Sequence, residues 1–145
     1  LGVPKGPKWA QLQRGESVLA DNGETVQPDA VMGPNRPGRK VGYVTDTVYF
    51  EGIAPRVAGC DFLVCEGMFS HELEESAREK KHLTAHQAAC IARDAGGVQQ
   101  LGLIHYSPRY TEYELKQLLI EARGVFPNTI LTRDRLSFDI PYREE

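Results

Sequence analysis

The stretch Leu103-Ile104-His105-Tyr106-Ser107-Pro108-Arg109-Tyr110 concentrates the residue types that can do chemistry. An apolar run, Leu101 to Ile104, leads directly into a histidine, with a serine, an arginine and two tyrosines close behind it. A short apolar run of this kind reads as a buried strand. A histidine where such a strand ends can present its ring in a cleft. Ser107 and Arg109 beyond it can hold a phosphate oxygen, the arginine through a planar fork of donors. The plainer reading of His105 is a core histidine with a buried partner. Tyr106 and Tyr110 can stack on bases or simply pack.

Three further segments carry candidate groups. Asp46, in Val44-Thr45-Asp46-Thr47, follows a predicted strand from Lys40 to Thr45 and on spacing alone reads as a turn cap. Glu66, in Cys65-Glu66-Gly67-Met68-Phe69, follows a predicted buried strand from Asp61 to Cys65. His82, in His82-Leu83-Thr84-Ala85, precedes a predicted helix. Histidine suits proton transfer because its ordinary pKa of ~6.5 leaves both forms available near neutrality; the plainer reading is an exposed residue ahead of a helix. His82 and His86 are four apart, a spacing that shares one helical face, but they alone do not make a zinc site. His71 and His86 read as surface residues, and Cys60 and Cys90 as core.

The elements that must position these groups alternate between strand and helix. Residues 1–40 are rich in glycine and proline and predict loops with a small hairpin around Asn22-Gly23 rather than helices. A short helix is expected over 52–59, and a charged helix or loop over 71–81. Thr84 caps a helix from Ala85 to Ala95 closed by Gly96-Gly97, and Thr111 caps one from Glu112 to Val125 with Leu115, Leu118, Leu119 and Ala122 on one face. Strands are expected from Val98 to Ile104, Thr129 to Thr132 and Arg135 to Ile140. The chain is read as a single domain, 1–145, with a loop-and-hairpin segment at 1–40 and a sheet-and-helix core at 41–145. The class is α/β, a sheet with helices on one face.

Composition narrows the function. The 145 residues are 41% hydrophobic and 26% charged, a globular profile, and the net charge of −3 excludes a large basic nucleic-acid footprint. Lys5, Lys8, Arg14, Arg36, Arg39 and Lys40 are the basic residues that could still touch RNA. Three cysteines without a Cys-x-x-Cys pair suit a reducing cytoplasm, and no apolar run approaches the roughly 20 residues that span a membrane.

Together, in this order, the four segments resemble the C-terminal half of ribonuclease Z, the metallo-β-lactamase-fold nuclease that trims the 3′ end of precursor tRNA. The loop Gly2-Val3-Pro4-Lys5-Gly6-Pro7 is also similar to a loop near that family's active site. The resemblance covers essentially the whole chain. It implies half of an αβ/βα sandwich with a mixed sheet. Thr45-Asp46-Thr47 stands where the family has Gly-Asp-Thr, which implies that Asp46 binds two zinc ions as a shared ligand. Cys65-Glu66-Gly67-Met68-Phe69 stands where the family has His-Glu-Ala-Thr-Phe, departing at Cys65, Gly67 and Met68; Glu66 is implied to orient a catalytic histidine. His82-Leu83-Thr84 matches His-Ser-Thr, which implies that His82 is the proton donor to the leaving oxygen. His105 matches a metal-binding histidine, and Ser107 and Arg109 a phosphate-contact motif.

The family's His-x-His-x-Asp-His motif, which supplies most metal ligands and the aspartate that activates water, is not among these residues: the four histidines, at 71, 82, 86 and 105, form no such pair. Two ligands are fewer than the roughly three protein ligands of a catalytic zinc, so the chain by itself is expected to bind zinc weakly and to be inactive. A lone half also leaves a sheet face uncovered, which implies an N-terminal half or a second copy, a homo-oligomer, as partner. Two rival readings are a non-catalytic remnant serving as a binding or dimerisation module, and a related metal-dependent hydrolase acting on another phosphodiester or an ester.

Overall fold

The computed structural model describes residues 1–33 and 38–142. The chain divides into two compact units, Leu1–Pro37 and Gly38–Glu145. The first contains a helix, α1 (Pro7–Gln13), where the glycine and proline content predicted none. Proline is tolerated at a helix start because its missing N–H would have no intrahelical partner there. The expected hairpin forms from β1 (Val18–Leu19) and β2 (Thr25–Val26), with Gly23 at φ 84° in the turn. Leu12, Val18, Ala20 and Val26 make a small core.

The second unit runs β3 (Val41–Val44), α2 (Ile53–Arg56), β4 (Phe62–Glu66), α3 (Glu74–Glu79), α4 (Ala85–Ala95), β5 (Gln100–Ile104), α5 (Glu112–Val125) and β6 (Thr129–Leu131). The strands lie in the order β3-β4-β5-β6 and every neighbouring pair is parallel. The sheet is therefore parallel among the described residues rather than mixed. Each connection carries at least one helix, and a helical crossover returns the chain to the same edge of the sheet. The expected last strand, 135–140, does not form. Arg135 sits at φ 62°, a left-handed conformation no strand contains, and Phe138 instead stacks on Phe62 with ring centroids 4.5 Å apart.

Strand alternation sets the two faces. Leu63 and Cys65 of β4 and Leu101 and Leu103 of β5 pack with Ile53 and Val57, with Ala88, Ile91 and Ala92 of α4, and with Leu118 and Ala122 of α5. The helices thus cover one face, as expected. Leu119 is only half-buried because the α5 stripe centres on Leu118 and Ala122. On the edge strand β3, Val41 and Tyr43 point the other way and are 56% and 66% exposed. No helix among the described residues is long and apolar enough to cross a membrane.

The α4 N-terminus is a full capping box. Thr84 Oγ1 accepts from Gln87 N at 3.1 Å, and Gln87 Oε1 accepts from Thr84 N at 3.0 Å. Thr84 is fully buried, so Thr84→Ala should cost about 1–2 kcal/mol. A urea titration should show a lower midpoint with an unchanged slope; an unmoved midpoint would remove the cap from the account.

Candidate metal-binding and catalytic site

The candidate groups gather at the carboxyl ends of the parallel strands, where open α/β sheets bind ligands. Asp46 lies just past β3, Glu66 ends β4, and His105 directly follows β5. His82 arrives from the connection between α3 and α4. The bridge pairing Phe69 with Thr84, together with Ala85 N donating to Phe69 O at 2.9 Å, ties that connection to the end of β4.

Glu66 is the hub. Its side chain is fully buried, and burying a carboxylate is tolerated only with partners. Thr47 N donates to Oε1 at 2.8 Å, and His82 Nδ1 lies 2.8 Å from Oε2. With a carboxylate as acceptor, Nδ1 of His82 carries the proton and Nε2 is left for other work. His105 Nδ1 is 3.5 Å from the same Glu66 Oε2 and 3.4 Å from Asp46 Oδ1. The rings of His82 and His105 meet edge-on, with centroids 5.1 Å apart. One donor atom each from Asp46, His82 and His105 lie within 4.8 Å of one another. One carboxylate and two imidazoles fit a divalent metal, and three protein ligands is the usual number for a catalytic zinc. The resemblance implies a metal role only for Asp46 and His105; His82 joins them because its loop folds back over β4, a placement no local signal announces.

Asp46 and His105 both adopt left-handed backbone, at φ 40° and φ 59°. Such conformations cost non-glycine residues about 1–3 kcal/mol and cluster at functional sites. Here each re-aims a side chain immediately after a strand ends. Thr45 Oγ1 donates to Asp46 Oδ1 at 2.6 Å. That bond, opposed by desolvation and helped by the nearby His105 and His82, holds the Asp46 carboxyl below its ordinary value. Asp46 therefore stays anionic in mild acid. The small stabilisation from this exposed group is present above the ordinary carboxylate pKa and is lost as pH falls through the depressed value.

The departures at Cys65 and Gly67 fall in packing rather than in the site. Cys65 is fully buried in the helix-side core. A Cβ on Gly67 would lie 3.1 Å from Ala85 Cα and 3.2 Å from Leu103 Cδ2, so glycine lets α4 approach the end of β4 closely. Burial first, and the Glu66 charge second, push the Cys65 thiol well above its ordinary pKa. Cys60 is also buried, whereas Cys90, expected in the core, is half-exposed because α4 buries Ala88, Ala89, Ile91 and Ala92 instead. Brief alkylation of the native chain should mark Cys90 and spare Cys60 and Cys65 until denaturant is added. Native labelling of Cys65, read by mass spectrometry, would contradict this packing.

Ser107 N donates to Met68 O at 3.3 Å, and Arg109 N to Ser107 Oγ at 3.4 Å, which sets both residues on a turn beside His82. The tyrosines are structural in their hydroxyls. Tyr106 Oη bonds Leu103 O and accepts from Thr132 N at 2.8 Å, and Tyr110 Oη accepts from Ser70 N at 3.0 Å. His86 is half-buried rather than on the surface, its ring stacked on exposed His71 at 4.2 Å. Four of the early basic residues have partners within the protein: Lys8 with Asp21, Arg14 with Glu16, Arg39 over the Tyr142 ring, and Lys40 on Ala58 O. Arg36 lies outside the described residues.

A family profile described as "Beta-lactamase superfamily domain" matches residues 23–106. The chain belongs to the β-lactamase superfamily. Within it, the chain is 59% identical over 144 residues to Ribonuclease Z of Treponema pallidum, covering 99% of this chain and 46% of that protein. It is 54% identical to Ribonuclease Z of Treponema denticola and 43% identical to that of a Synechococcus strain. The chain thus spans about half the length of the curated relatives it matches. Among solved structures, the metallo-β-lactamase fold protein YhfI of Bacillus subtilis is 25% identical, with a TM-score of 0.55 over 63% of this chain and 35% of that one. Human tRNase Z, short form, is 23% identical with a TM-score of 0.55 over 81% of this chain and 37% of that one, a likeness of fold. The superfamily fold and the ribonuclease Z resemblance expected from the four segments are both borne out.

Proposed function

We propose that the chain is the C-terminal portion of a ribonuclease Z-like, metal-dependent phosphodiesterase that processes precursor tRNA 3′ ends. The observation that carries this reading is His82, held by buried Glu66 and gathered with Asp46 and His105 at the strand ends, in a chain 59% identical to Ribonuclease Z. Asp46 and His105 are the metal ligands of this half, for zinc, and a complementing half supplies the others. Bound there, the metal would polarise the phosphate and acidify water. Glu66 fixes the ring of His82 and stabilises its imidazolium form. His82 then gives the Nε2 proton to the leaving oxygen, while Ser107 and Arg109 hold the phosphate. The face carrying Val41 and Tyr43 is where the complementing half docks, and the chain alone is inactive and holds zinc weakly.

Two uses of His82 compete, because a nitrogen that ligates a metal carries no proton to give. Assembly with a half carrying His-x-His-x-Asp-His, followed by His82→Ala, separates them. We expect unchanged zinc per complex and hydrolysis of precursor tRNA lower by about 10²–10⁴-fold. Loss of zinc with activity would make His82 a ligand, and full activity would remove it from the site. Of the departures behind the reading as a non-catalytic module, Cys65 and Gly67 fall in packing, whereas Met68 lines the cavity beside His82 and Thr45 bonds Asp46.

A further inference from the structure

A cavity of about 390 Å³ opens beside His82, within the ~300–1,000 Å³ usual for small-ligand sites. Its wall carries Lys80, His82, Ser107 and Arg109 together with the rings of Phe69 and Tyr110. Lys80 and Arg109 bring positive charge to this cavity although the chain as a whole carries −3. The Lys80 ammonium lies 5.4 Å from the Phe69 ring centroid, a cation–π distance that holds it over the cavity wall. Glu114, the carboxylate on the wall, is tied into the α5 cap: its Oε2 accepts from Thr111 N at 2.7 Å and Thr111 Oγ1 at 2.8 Å. Those bonds hold Glu114 below its ordinary pKa and tie its Oε2 to the helix end.

We propose that this cavity is a nucleotide subsite: it takes the residue of a single-stranded RNA next to the scissile phosphate, and Lys80 pairs with that residue's own phosphate. The inference rests on the phosphodiesterase reading above. Its chemistry matches the demand, since a single-stranded nucleotide needs an apolar or aromatic wall for its base and a cation for its backbone. Lys80 does not touch the reacting atoms; it is a positioning residue, two positions before His82, that sets which phosphate stands at the histidine.

The test is binding of a five-nucleotide RNA to the full chain, read by fluorescence anisotropy across a salt series, for the wild type, Lys80→Gln and Lys80→Arg. Lys80 is exposed, so neither variant disturbs the core. Lys80→Gln should weaken binding about tenfold, with the slope of log affinity against log salt shallower by about 0.7, the value for one phosphate contact on a single strand. Lys80→Arg should restore both. Equal affinity and slope in all three proteins, or a wild type that binds no RNA, would overturn the subsite. In the assembled enzyme, Lys80→Gln should raise KM for RNA and spread cleavage over neighbouring phosphates, and Lys80→Arg should restore the single cut; an unchanged KM and cleavage position would overturn the role of Lys80. RNA binding that depends on Lys80 without hydrolysis by the assembled wild type would instead sink the nuclease reading and keep the subsite.

Discussion

Glu66→Gln should leave the assembled enzyme folded and loaded with metal, but hydrolyse precursor tRNA about 100-fold more slowly or worse. The amide oxygen can still accept from Thr47 N, the bond that ties the loop after β3 to the end of β4. The amide nitrogen, however, faces His82 Nδ1, 2.8 Å away in the wild type. A donor there forces Nδ1 to accept, which shifts the ring proton to Nε2 and removes the negative charge that stabilises an imidazolium. The loss should therefore appear in kcat, with KM little changed, and the dependence of rate on the protonated histidine should flatten. Zinc content equal to wild type with a normal rate would show that Glu66 serves only the fold. Glu66→Ala differs in kind: it leaves two part-buried donors, Thr47 N and His82 Nδ1, without their acceptor, at about 1 kcal/mol each, so a stability loss should accompany the rate loss.

Asp46→Gly should move metal binding and stability in opposite directions. The carboxylate is the one anionic member of the triad with His82 and His105. Changes in groups that merely support a ligand cost about 10–100-fold in metal affinity, so on the proposed reading losing Asp46 should cost more than 100-fold in a chelator competition with the assembled enzyme. Yet Asp46 sits at φ 40°, a conformation glycine adopts without strain. Relief of up to about 1 kcal/mol should raise the thermal midpoint of the metal-free protein, or leave it level where the greater freedom of unfolded glycine offsets the gain. A clear fall in that midpoint would mean that Thr45 Oγ1–Asp46, not a ligand's placement, is what the turn is built around. Asp46→Asn controls for shape, keeping the turn while removing the charge.

The limits of local sequence are clearest at His82 and Asp46. Thr84 and Thr111 announce both long helices because capping is a contact over three residues, and each box forms as expected. The apolar runs at 62–65 and 101–104 announce β4 and β5 because a largely buried central strand has little polar content. The hairpin is legible from Asn22-Gly23 for the same local reason. The strand expected at 135–140 is not decided locally: its residues alternate suitably, but no neighbour pairs with them and Arg135 turns the chain away. Helix α1 is hidden by prolines that count against a helix everywhere except at its start.

By itself, the sequence determined the two capped helices, the central strands, the superfamily resemblance and the set of residues able to do chemistry, since each depends on spacing within a few positions or on motifs in order. Tertiary structure alone decided that Glu66 is fully buried and holds His82, that Cys65 and Gly67 change packing rather than the site, and that His82 stands with Asp46 and His105. Those facts depend on which strand end lies beside which: residues 46, 66 and 105 become neighbours only when three parallel strands finish side by side, and His82 joins them through the Phe69–Thr84 bridge.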